Sequence, residues 1–228
     1  MKFKPEQIVS LSHALLDGKE NFPYEVETFG RTKPEHPGLW YIECVCRLGS
    51  HCGTHVEVPY HHNQYGVDIK DFPFRNLIGE CVVIDCLGKQ PGDAIGLEDV
   101  KKVEGKIQDG DIVFLYTGYD RFFRDENWQP YPYITEEALD WLLAYHIKAL
   151  GTDASGVEIV DGYSASGRMK ELYGEPIHVK CFDNNVAIVE SLTNLEAIRD
   201  LRATVFILPV PAEKMDAFPC QIIAVKDL

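Results

Sequence analysis

The sequence predicts a mixed fold of strands and helices, α/β or α+β, built as one domain over residues 1–228. Short apolar runs such as residues 81–86 and 111–118 are typical of buried strands. Residues 136–147 repeat their apolar side chains at helical spacing. A chain of 228 residues that is 45% hydrophobic can fill one core and is too short to require a second.

The other strands are predicted from alternation or from short apolar runs between turn residues. Residues 8–15 begin as an alternating strand, and residues 40–48 form another that leads into a histidine-rich segment. Residues 17–38 are rich in Gly, Pro, Asn, Glu and Lys, which indicates a long surface loop. Later strands are predicted at residues 149–153, 186–189, 203–210 and 220–225.

The best-supported helix follows Thr135, a suitable N-cap, and has two glutamates in its first turn, where the helix dipole favours negative charge. Shorter helices are predicted at residues 97–103 and, from a Thr-x-x-Glu capping box, at residues 193–201. Residues 119–133 form a second loop, rich in aromatic and charged side chains. Residues 155–174 form a polar insertion. Its charged side chains, which we expect to be solvated, are Glu158, Asp161, Lys170 and Glu171.

The composition argues against several classes of partner. A formal net charge of −14 disfavours nucleic acid, because phosphate binding needs a basic patch. No apolar run approaches the roughly 18 residues of a membrane span, and no signal peptide is evident, so a cytoplasmic location is expected. Seven cysteines, an odd number, then fit reduced thiols. Those predicted to be small core residues are Cys44, Cys46, Cys81, Cys86 and Cys220.

The strongest functional pattern is residues 51–62, where four of the eight histidines and one carboxylate occur within twelve residues. In an extended segment, side chains alternate between two faces. The residues that share one face are His51, His55, Glu57 and His61. A straight strand would hold the Cα atoms of His51 and His55 roughly 13 Å apart. We therefore expect a bend at Gly53, followed by an extended piece over residues 55–61.

Three imidazoles and a carboxylate on one face predict a metal or catalytic site, because unpartnered buried polar groups cost roughly 1–3 kcal/mol each. Such nitrogen and oxygen ligands suit Zn²⁺ or Mn²⁺. Histidine is the usual side chain for proton transfer near neutral pH, so His61 is a candidate for that role. Cys52 and Cys181 are alternative soft ligands. His13 and His62 are weaker candidates for the site, and a purely structural role for all these histidines stays open.

This segment resembles the H-x-G-T-H-x-D-x-P-x-H motif of the cyclase family of metal-dependent hydrolases, to which bacterial kynurenine formamidase and isatin hydrolase belong. Every fixed position of the motif matches except one, where Glu57 stands for the family's Asp. Residues 111–118 are similar to the family's G-D-x-V-L-x-x-T-G segment. The resemblance extends over about residues 8–225, nearly the whole chain.

The resemblance implies an α/β chain with the swivelling β/β/α fold, in which mixed sheets are flanked by a few helices. It implies that the ligands of one or two divalent ions are His51, His55, Glu57, His178 and Glu190. The last two are separated by twelve positions, as in the family. Glu57 would bridge the ions and His61 would be the catalytic, proton-handling residue. The resemblance also implies a homodimer or homotetramer.

The expected activity is hydrolysis of an amide C–N bond in a small molecule, an aryl formamide or a cyclic amide, by metal-activated water. Lactone hydrolysis is the first alternative. A metal-assisted lyase or dehydratase, in which His61 removes a proton from carbon, is another, and a closed non-catalytic metal-binding protein is a third.

Two departures from the family pattern bear on the site and the substrate. The extra methylene of Glu57 moves its carboxylate by about 1 Å or more, which affects bridging and metal preference. Gln221 occupies a position where the family tends to have Arg, which indicates a different substrate. The aromatic side chains of residues 17–38, together with Trp40, either line a substrate pocket or pack against a second subunit.

Overall fold

The computed structural model describes residues 4–32, 38, 40–159 and 175–226. In this part of the chain the strands are β1 (Ile8–Ser10), β2 (Tyr24–Thr32), β3 (Trp40–Leu48), β4 (His55–Glu57), β5 (Ile78–Asp85), β6 (Ala94–Ile95), β7 (Ile112–Tyr116), β8 (Tyr133–Ile134), β9 (Ala149–Thr152), β10 (Ala187–Glu190), β11 (Ala203–Pro209) and β12 (Ala217–Lys226). The α-helices are α1 (Leu97–Val100), α2 (Glu136–Leu143) and α3 (Pro176–Asp183). None of these helices is long and apolar enough to cross a bilayer.

Seven strands close into a barrel in the order β12, β11, β5, β7, β9, β10 and β4, and β4 pairs with β12 to complete the ring. The four strands from β5 to β10 are parallel to one another, and the other pairs are antiparallel. One edge of β12 is shared, because its residues 217–219 pair with β4 and its residues 223–225 pair with β1. The histidine motif therefore supplies the strand that closes the barrel.

Apolar residues form one core inside the barrel and a second between the barrel and the helices. On β5, Cys81 and Val83 join the first core, whereas Val82 and Ile84 join the second. This alternation follows from the period of a strand, and it leaves both faces of the parallel strands buried. Helix α2 covers the second core with the apolar stripe that its sequence predicts.

The predicted strands of the barrel are present, and Thr135 caps α2 by accepting a hydrogen bond from the backbone N–H of Ala138 at 3.3 Å. The helix ends at Leu143, before residue 147, and His146 has a left-handed backbone with φ of 48°. The predicted capping box at Thr193 is absent. Its hydroxyl instead donates a hydrogen bond to the carboxylate of Asp120 at 2.9 Å.

Two predictions for the first fifty residues are wrong. Residues 17–38 are not one long loop, because they contain β2, which pairs along its whole length with β3 in an antiparallel ribbon. The alternating glutamates of β2 hide this strand in the sequence, since strands are usually recognised by apolar residues. Cys44 and Cys46 lie on this ribbon and are exposed, so they are not core residues.

The extended segment predicted for residues 55–61 is also partly wrong. Only His55–Glu57 is a strand, and Pro59–His61 is a turn of 3₁₀-helix in which His61 donates its backbone N–H to Val58 at 2.9 Å. Proline at the start of the turn sets φ for a helical geometry. His61 reaches its position because the turn folds the chain back, and not because side chains alternate along a strand.

Gly151 tests the tight packing of the barrel interior. A Cβ at this position would lie 2.5 Å from Phe114 Cδ1 and 2.9 Å from Leu192 Cδ1. We expect Gly151→Ala to lower the free energy of unfolding by about 1–3 kcal/mol, because overpacking forces neighbours from their rotamers. Chemical denaturation measures the change. Gly105→Ala is the control, since no atom lies within 4 Å of its added Cβ, and equal losses in both variants would contradict the prediction.

Candidate metal centre

The centre is built on the bend that the sequence predicts at Gly53. This residue has a φ of +66°, and a Cβ there would overlap the side chain of Leu15. The bend carries the chain from His51 into β4. Pairing of β4 with β10 then sets Glu190 directly opposite His55 and Ile188 opposite Glu57. Backbone geometry thus gathers residues from two distant parts of the sequence.

One oxygen of Glu57 faces the two histidines that precede it. Its Oε1 lies 2.7 Å from His51 Nδ1 and 3.2 Å from His55 Nε2, and these two nitrogens are 3.2 Å apart. His55 and Glu57 are 3% and 2% exposed, so this contact is made away from bulk water. The three side chains that the motif predicts to lie together are therefore in contact.

The other oxygen of Glu57 faces the residues from the second half of the chain. Its Oε2 lies 3.2 Å from His178 Nε2, which is in turn 3.7 Å from Glu190 Oε1. Glu190 Oε2 is 3.7 Å from His55 Nε2. The longer side chain of Glu57 therefore still places one oxygen toward each group of ligands, which is what a bridging carboxylate requires.

His178 lies on helix α3. The carboxylate of Glu158 accepts hydrogen bonds from the backbone N–H groups of Ile177 and His178 at 2.6 and 3.0 Å, in the first turn of the helix. Its Oε1 is also 3.3 Å from His178 Nδ1. The expectation that Glu158 is solvated is wrong, because the residue is only 7% exposed.

The other charged residues of that insertion, Asp161, Lys170 and Glu171, lie outside the described residues. Helix α3 begins at Pro176, so Glu158 contacts a helix that is distant from it in the sequence. Contacts of this kind cannot be read from local spacing.

Asp216 is a second residue that the sequence does not single out. Its Oδ2 lies 3.0 Å from His51 Nε2 and 2.9 Å from His61 Nδ1, so one carboxylate contacts both histidines. It precedes β12, 155 residues from His61 along the chain. Only the pairing of β12 with β4 brings it to the centre, and no motif in the sequence marks it.

The hydrogen bonds fix which ring nitrogen of each histidine faces Glu57. His51 donates Nε2–H to Asp216, and His55 donates Nδ1–H to the carbonyl oxygen of Gly53 at 2.9 Å, because these acceptors cannot donate. His178 directs Nδ1 at Glu158 in the same way. The opposite nitrogens converge on Glu57. Metal-binding histidines usually have this second hydrogen bond to an oxygen.

The charges of the centre favour a cation. Burial alone would raise the pKa of Glu57, but the adjacent imidazoles of His178, His51 and His55 lower that pKa well below its usual range. Burial and the nearby charge of Glu57 raise the pKa of Glu190. Although burial opposes protonation, hydrogen bonds to Asp216 and Glu57 raise the pKa of His51 to about 10. Protons on His51 and His178, whose pKa values are raised, thus offset the buried carboxylates.

The same residues fit a divalent ion in place of those protons. Ligand atoms of His55, Glu57 and Glu190 lie within 4.8 Å of one another, and so do those of His51, Glu57 and His61. Glu57 Oε2 is buried and has no hydrogen-bond partner of acceptable geometry among the described residues. Neither group contains a thiol, so the soft-ligand alternative for Cys52 and Cys181 gains no support.

His62 and His13 occupy different places. The ring of His62 stacks on that of His178, with centroids 5.1 Å apart, and its Nε2 is 2.9 Å from Glu175 Oε2. His62 therefore lies at the edge of the centre. The ring of His13 stacks on that of Phe123, with centroids 3.9 Å apart, and His13 belongs to neither of the two ligand groups given above.

Comparison with known proteins now identifies the family. The family model Cyclase matches residues 9–159, about two thirds of the chain. The chain belongs to the cyclase family. A kynurenine formamidase from Erythrobacter litoralis is 28% identical over 95% of this chain and 93% of its own length. An isatin hydrolase from Roseibium aggregatum is 26% identical over 78% of this chain and 72% of its own.

Solved structures of the cyclase family show the same fold. Isatin hydrolase A from Ralstonia solanacearum superposes with a TM-score of 0.77 at 19% identity, covering 96% of this chain and 92% of that one. A potential metal-dependent hydrolase with cyclase activity gives 0.73 at 21% identity, over 97% and 98%. The α/β fold with mixed sheets and few helices, which the resemblance implies, is confirmed.

In this cyclase-family chain, a cavity of about 110 Å³ opens beside the centre. His51, His55 and Glu190 form its floor. Its remaining walls are Asn21, Phe22, Gly53, Phe123, Trp128, Gln129, Ser155 and Ser191. The segment that contains Asn21 and Phe22 and the loop of residues 119–133 therefore meet at this cavity. This supports the interpretation that Phe22 lines a substrate pocket.

An ion pair ties these two loops together. Arg124 contacts Glu20 with Nη2 at 2.6 Å, and the Glu20 side chain is 1% exposed. The guanidinium also lies over the ring of Phe123, 4.6 Å from its centroid. Asn21 donates a side-chain hydrogen bond to the carbonyl of Phe123 at 3.2 Å. These contacts fix the aromatic walls relative to each other.

Asp216→Asn tests the shared carboxylate. The amide keeps the shape but removes the negative charge that orients His51, so we expect about a 10–100-fold loss of metal affinity. Titration of metal-free protein with Zn²⁺ measures it. Asp71→Asn, at an exposed carboxylate paired only with Lys70 at 3.5 Å, is the matched control and should bind normally. Unchanged affinity in Asp216→Asn would show that the carboxylate does not support the centre.

Proposed function

We propose that this protein is a metal-dependent hydrolase that cleaves an amide C–N bond in a small molecule, an aryl formamide or a cyclic amide. The observation that carries the proposal is the convergence of three imidazole nitrogens on the two oxygens of Glu57, with Glu190 within 4.8 Å of His55 and Glu57, beside a cavity. Relatives named kynurenine formamidase and isatin hydrolase support this reaction class. Cytoplasmic action is part of the proposal and agrees with seven free thiols.

The proposed metal is Zn²⁺ or Mn²⁺, as one or two ions. His51 and His55 would hold it with Glu57 Oε1, and His178 and Glu190 with Glu57 Oε2. A bound ion of this kind lowers the pKa of a coordinated water toward neutrality and polarises a substrate carbonyl. The donor set supports this choice, because imidazole and carboxylate ligands suit both metals.

His61 is proposed as the group that moves the proton. Hydrogen bonds from His51 and His61 hold the pKa of Asp216 well below its usual range, so its carboxylate stays ionised. An ionised carboxylate can only accept, so His61 donates from Nδ1, and in its neutral form the ring has a lone pair on Nε2. This nitrogen can take a proton from water and give it to the leaving nitrogen.

The cavity favours a flat, largely apolar substrate. Three aromatic side chains, Phe22, Phe123 and Trp128, line it, and the amides of Asn21 and Gln129 can hydrogen-bond the polar edge of a ligand. No Lys or Arg lines the cavity among the described residues. A neutral aryl amide or lactam therefore fits better than a substrate recognised through a carboxylate.

His61→Ala tests the proposed proton transfer. We expect near-normal metal content and a loss of at least about 100-fold in kcat, because general acid–base groups contribute 10²–10⁴-fold. Formanilide and a five-membered aryl lactam are the first substrates to assay. His146→Ala is the matched control, since this exposed histidine pairs with Asp109 on the surface. Unchanged kcat in His61→Ala would remove His61 from the mechanism.

Metal removal tests the reaction class. We expect chelated, metal-free protein to be inactive and to recover with Zn²⁺ or Mn²⁺, because the buried carboxylates alone offer no activated water. Turnover in H₂¹⁸O should place one ¹⁸O in the product carboxylate. A product without solvent oxygen would indicate a lyase or dehydratase. Full activity in demonstrably metal-free protein would contradict metal-dependent hydrolysis.

A further inference from the structure

The ribbon of β2 and β3 places two thiols side by side at the surface. Cys44 and Cys46, which we call the thiol pair, are alternate residues of β3, so their side chains point to the same face of the ribbon. Both are exposed. The register sets Thr28 opposite Cys44 and Val26 opposite Cys46. Among the described residues, no ligand group of the metal centre contains a cysteine, so the thiol pair is separate from that centre.

The other five cysteines are unsuited to binding an ion from solution, because all of them are buried. Burial raises the pKa of Cys52 to about 11 and the pKa values of Cys86 and Cys181 to about 12. A thiol has to lose its proton before it binds a metal ion. A soft cation that approaches from solvent therefore meets the thiol pair and no other accessible thiol.

The spacing of the thiol pair favours a bridging ion over a disulfide. Alternate residues of a strand are about 6.6–6.8 Å apart, whereas a disulfide needs Cβ atoms about 3.5–4.5 Å apart. Strand β3 pairs with β2 along its whole length, which resists the bend that a disulfide would require. Two metal–sulfur bonds of about 2.3 Å in a line separate the sulfurs by about 4.6 Å. Side chains that lean toward one another reach that separation without bending the strand.

The neighbours of the thiol pair select the kind of ion. On the same face of the ribbon the adjacent side chains are Val26, Thr28, Ile42 and Leu48, and none of them has a nitrogen or carboxylate ligand. The glutamates of β2 and β3 lie on the opposite face. Zinc and harder ions need four or more ligands, whereas thiolates select soft ions such as Cu(I). The arrangement therefore fits a soft cation that is held by two ligands.

We propose that Cys44 and Cys46 bind one soft monovalent cation, Cu(I), between their two sulfur atoms. Binding replaces two S–H bonds with two S–Cu bonds and releases two protons to solvent, and copper keeps its oxidation state, so no oxidant or reductant takes part. The formal charge of −14 attracts cations to the chain. The site is distinct from the proposed zinc or manganese centre, and it does not depend on the proposed hydrolytic reaction.

Titration with Ag(I) tests the site, because this ion has the charge and the ligand preference of Cu(I) and does not change its oxidation state in air. The protein is reduced and loaded with Zn²⁺, so that the imidazoles of the metal centre are occupied. We expect one tightly bound Ag(I) per chain, with two sulfur neighbours in its X-ray absorption spectrum and no nitrogen neighbour. Two ions per chain, one on each sulfur, would overturn the proposal, as would nitrogen neighbours or the absence of tight binding.

Cys44→Ser tests whether both sulfurs hold the same ion. We expect its affinity for Ag(I) to fall at least about 100-fold, because binding through two linked groups exceeds binding through either one alone by about 10²–10⁴-fold. Cys46→Ser should lose as much. Unchanged affinity in either variant would contradict a shared ion.

Two variants with relocated thiols separate the effect of position from the number of thiols. Ile42→Cys in a Cys46→Ser chain keeps two alternate thiols on the same face of β3. Val45→Cys in a Cys44→Ser chain keeps two exposed thiols, since Val45 is 62% exposed, but places them on opposite faces. We expect the first variant to bind Ag(I) as the unmodified protein does and the second to bind as weakly as Cys44→Ser. Equal affinities in these two variants would overturn the proposal.

These measurements do not use catalysis. Hydrolysis of formanilide by the same variants is expected to be unchanged, since the thiol pair is not part of the metal centre. A chain that binds Ag(I) as described but hydrolyses no amide would refute the proposed function and leave the soft-ion site intact. An active hydrolase that binds no Ag(I) would refute the soft-ion site and leave the proposed function intact.

Discussion

The structure depends on one buried carboxylate. Glu57 is 2% exposed and fully enclosed by side chains, and burying such a charge is costly unless hydrogen bonds and opposite charges compensate for it. Imidazoles from the motif contact one oxygen, and His178 contacts the other. Because Glu57 belongs to the strand that closes the barrel, the same residue links the metal chemistry to the barrel seam.

This arrangement accommodates Glu57 at the position where the family motif that the sequence resembles has Asp. The added methylene lengthens the reach of the carboxylate, yet both oxygens still find nitrogen partners between 2.7 and 3.2 Å. The carboxylates around the centre divide into two kinds. Glu57 and Glu190 face the convergent nitrogens, whereas Asp216 and Glu158 hold the far sides of the histidine rings. Asp216 and Glu158 thereby set the orientation of the histidine rings.

The sequence predicts the local half of this site and little of the rest. His51, His55 and Glu57 lie within seven residues, so strand alternation and a glycine bend suffice to bring them together. Glu190 and His178 are assigned only through the family resemblance, from their separation by twelve positions. Asp216 could not be found, since its position follows from the register between β12 and β4 and not from any nearby pattern. Long-range pairing is invisible to periodicity.

The same limit applies to the fold. The buried parallel strands are short apolar runs and α2 has helical spacing, so their bounds are predicted to within a few residues. The ribbon is different, because the glutamates of β2 give it the composition of a loop, and only pairing with β3 makes it a strand. Cys44 and Cys46 lie in an apolar stretch of the sequence, and for that reason they resemble core residues although both are exposed. An apolar strand does not reveal whether its own molecule covers it.

The shared edge of β12 limits how β4, the strand that carries His55 and Glu57, can move. β1 occupies residues 223–225 of that edge, next to the stretch at 217–219 where β4 pairs. A slide of β4 toward the carboxyl end of β12 is blocked by β1, and a slip of a single residue would turn Glu57 from the centre to the opposite face of the barrel wall. The short N-terminal strand therefore acts as a stop that keeps the ligands in register, although it contributes no atom to the site.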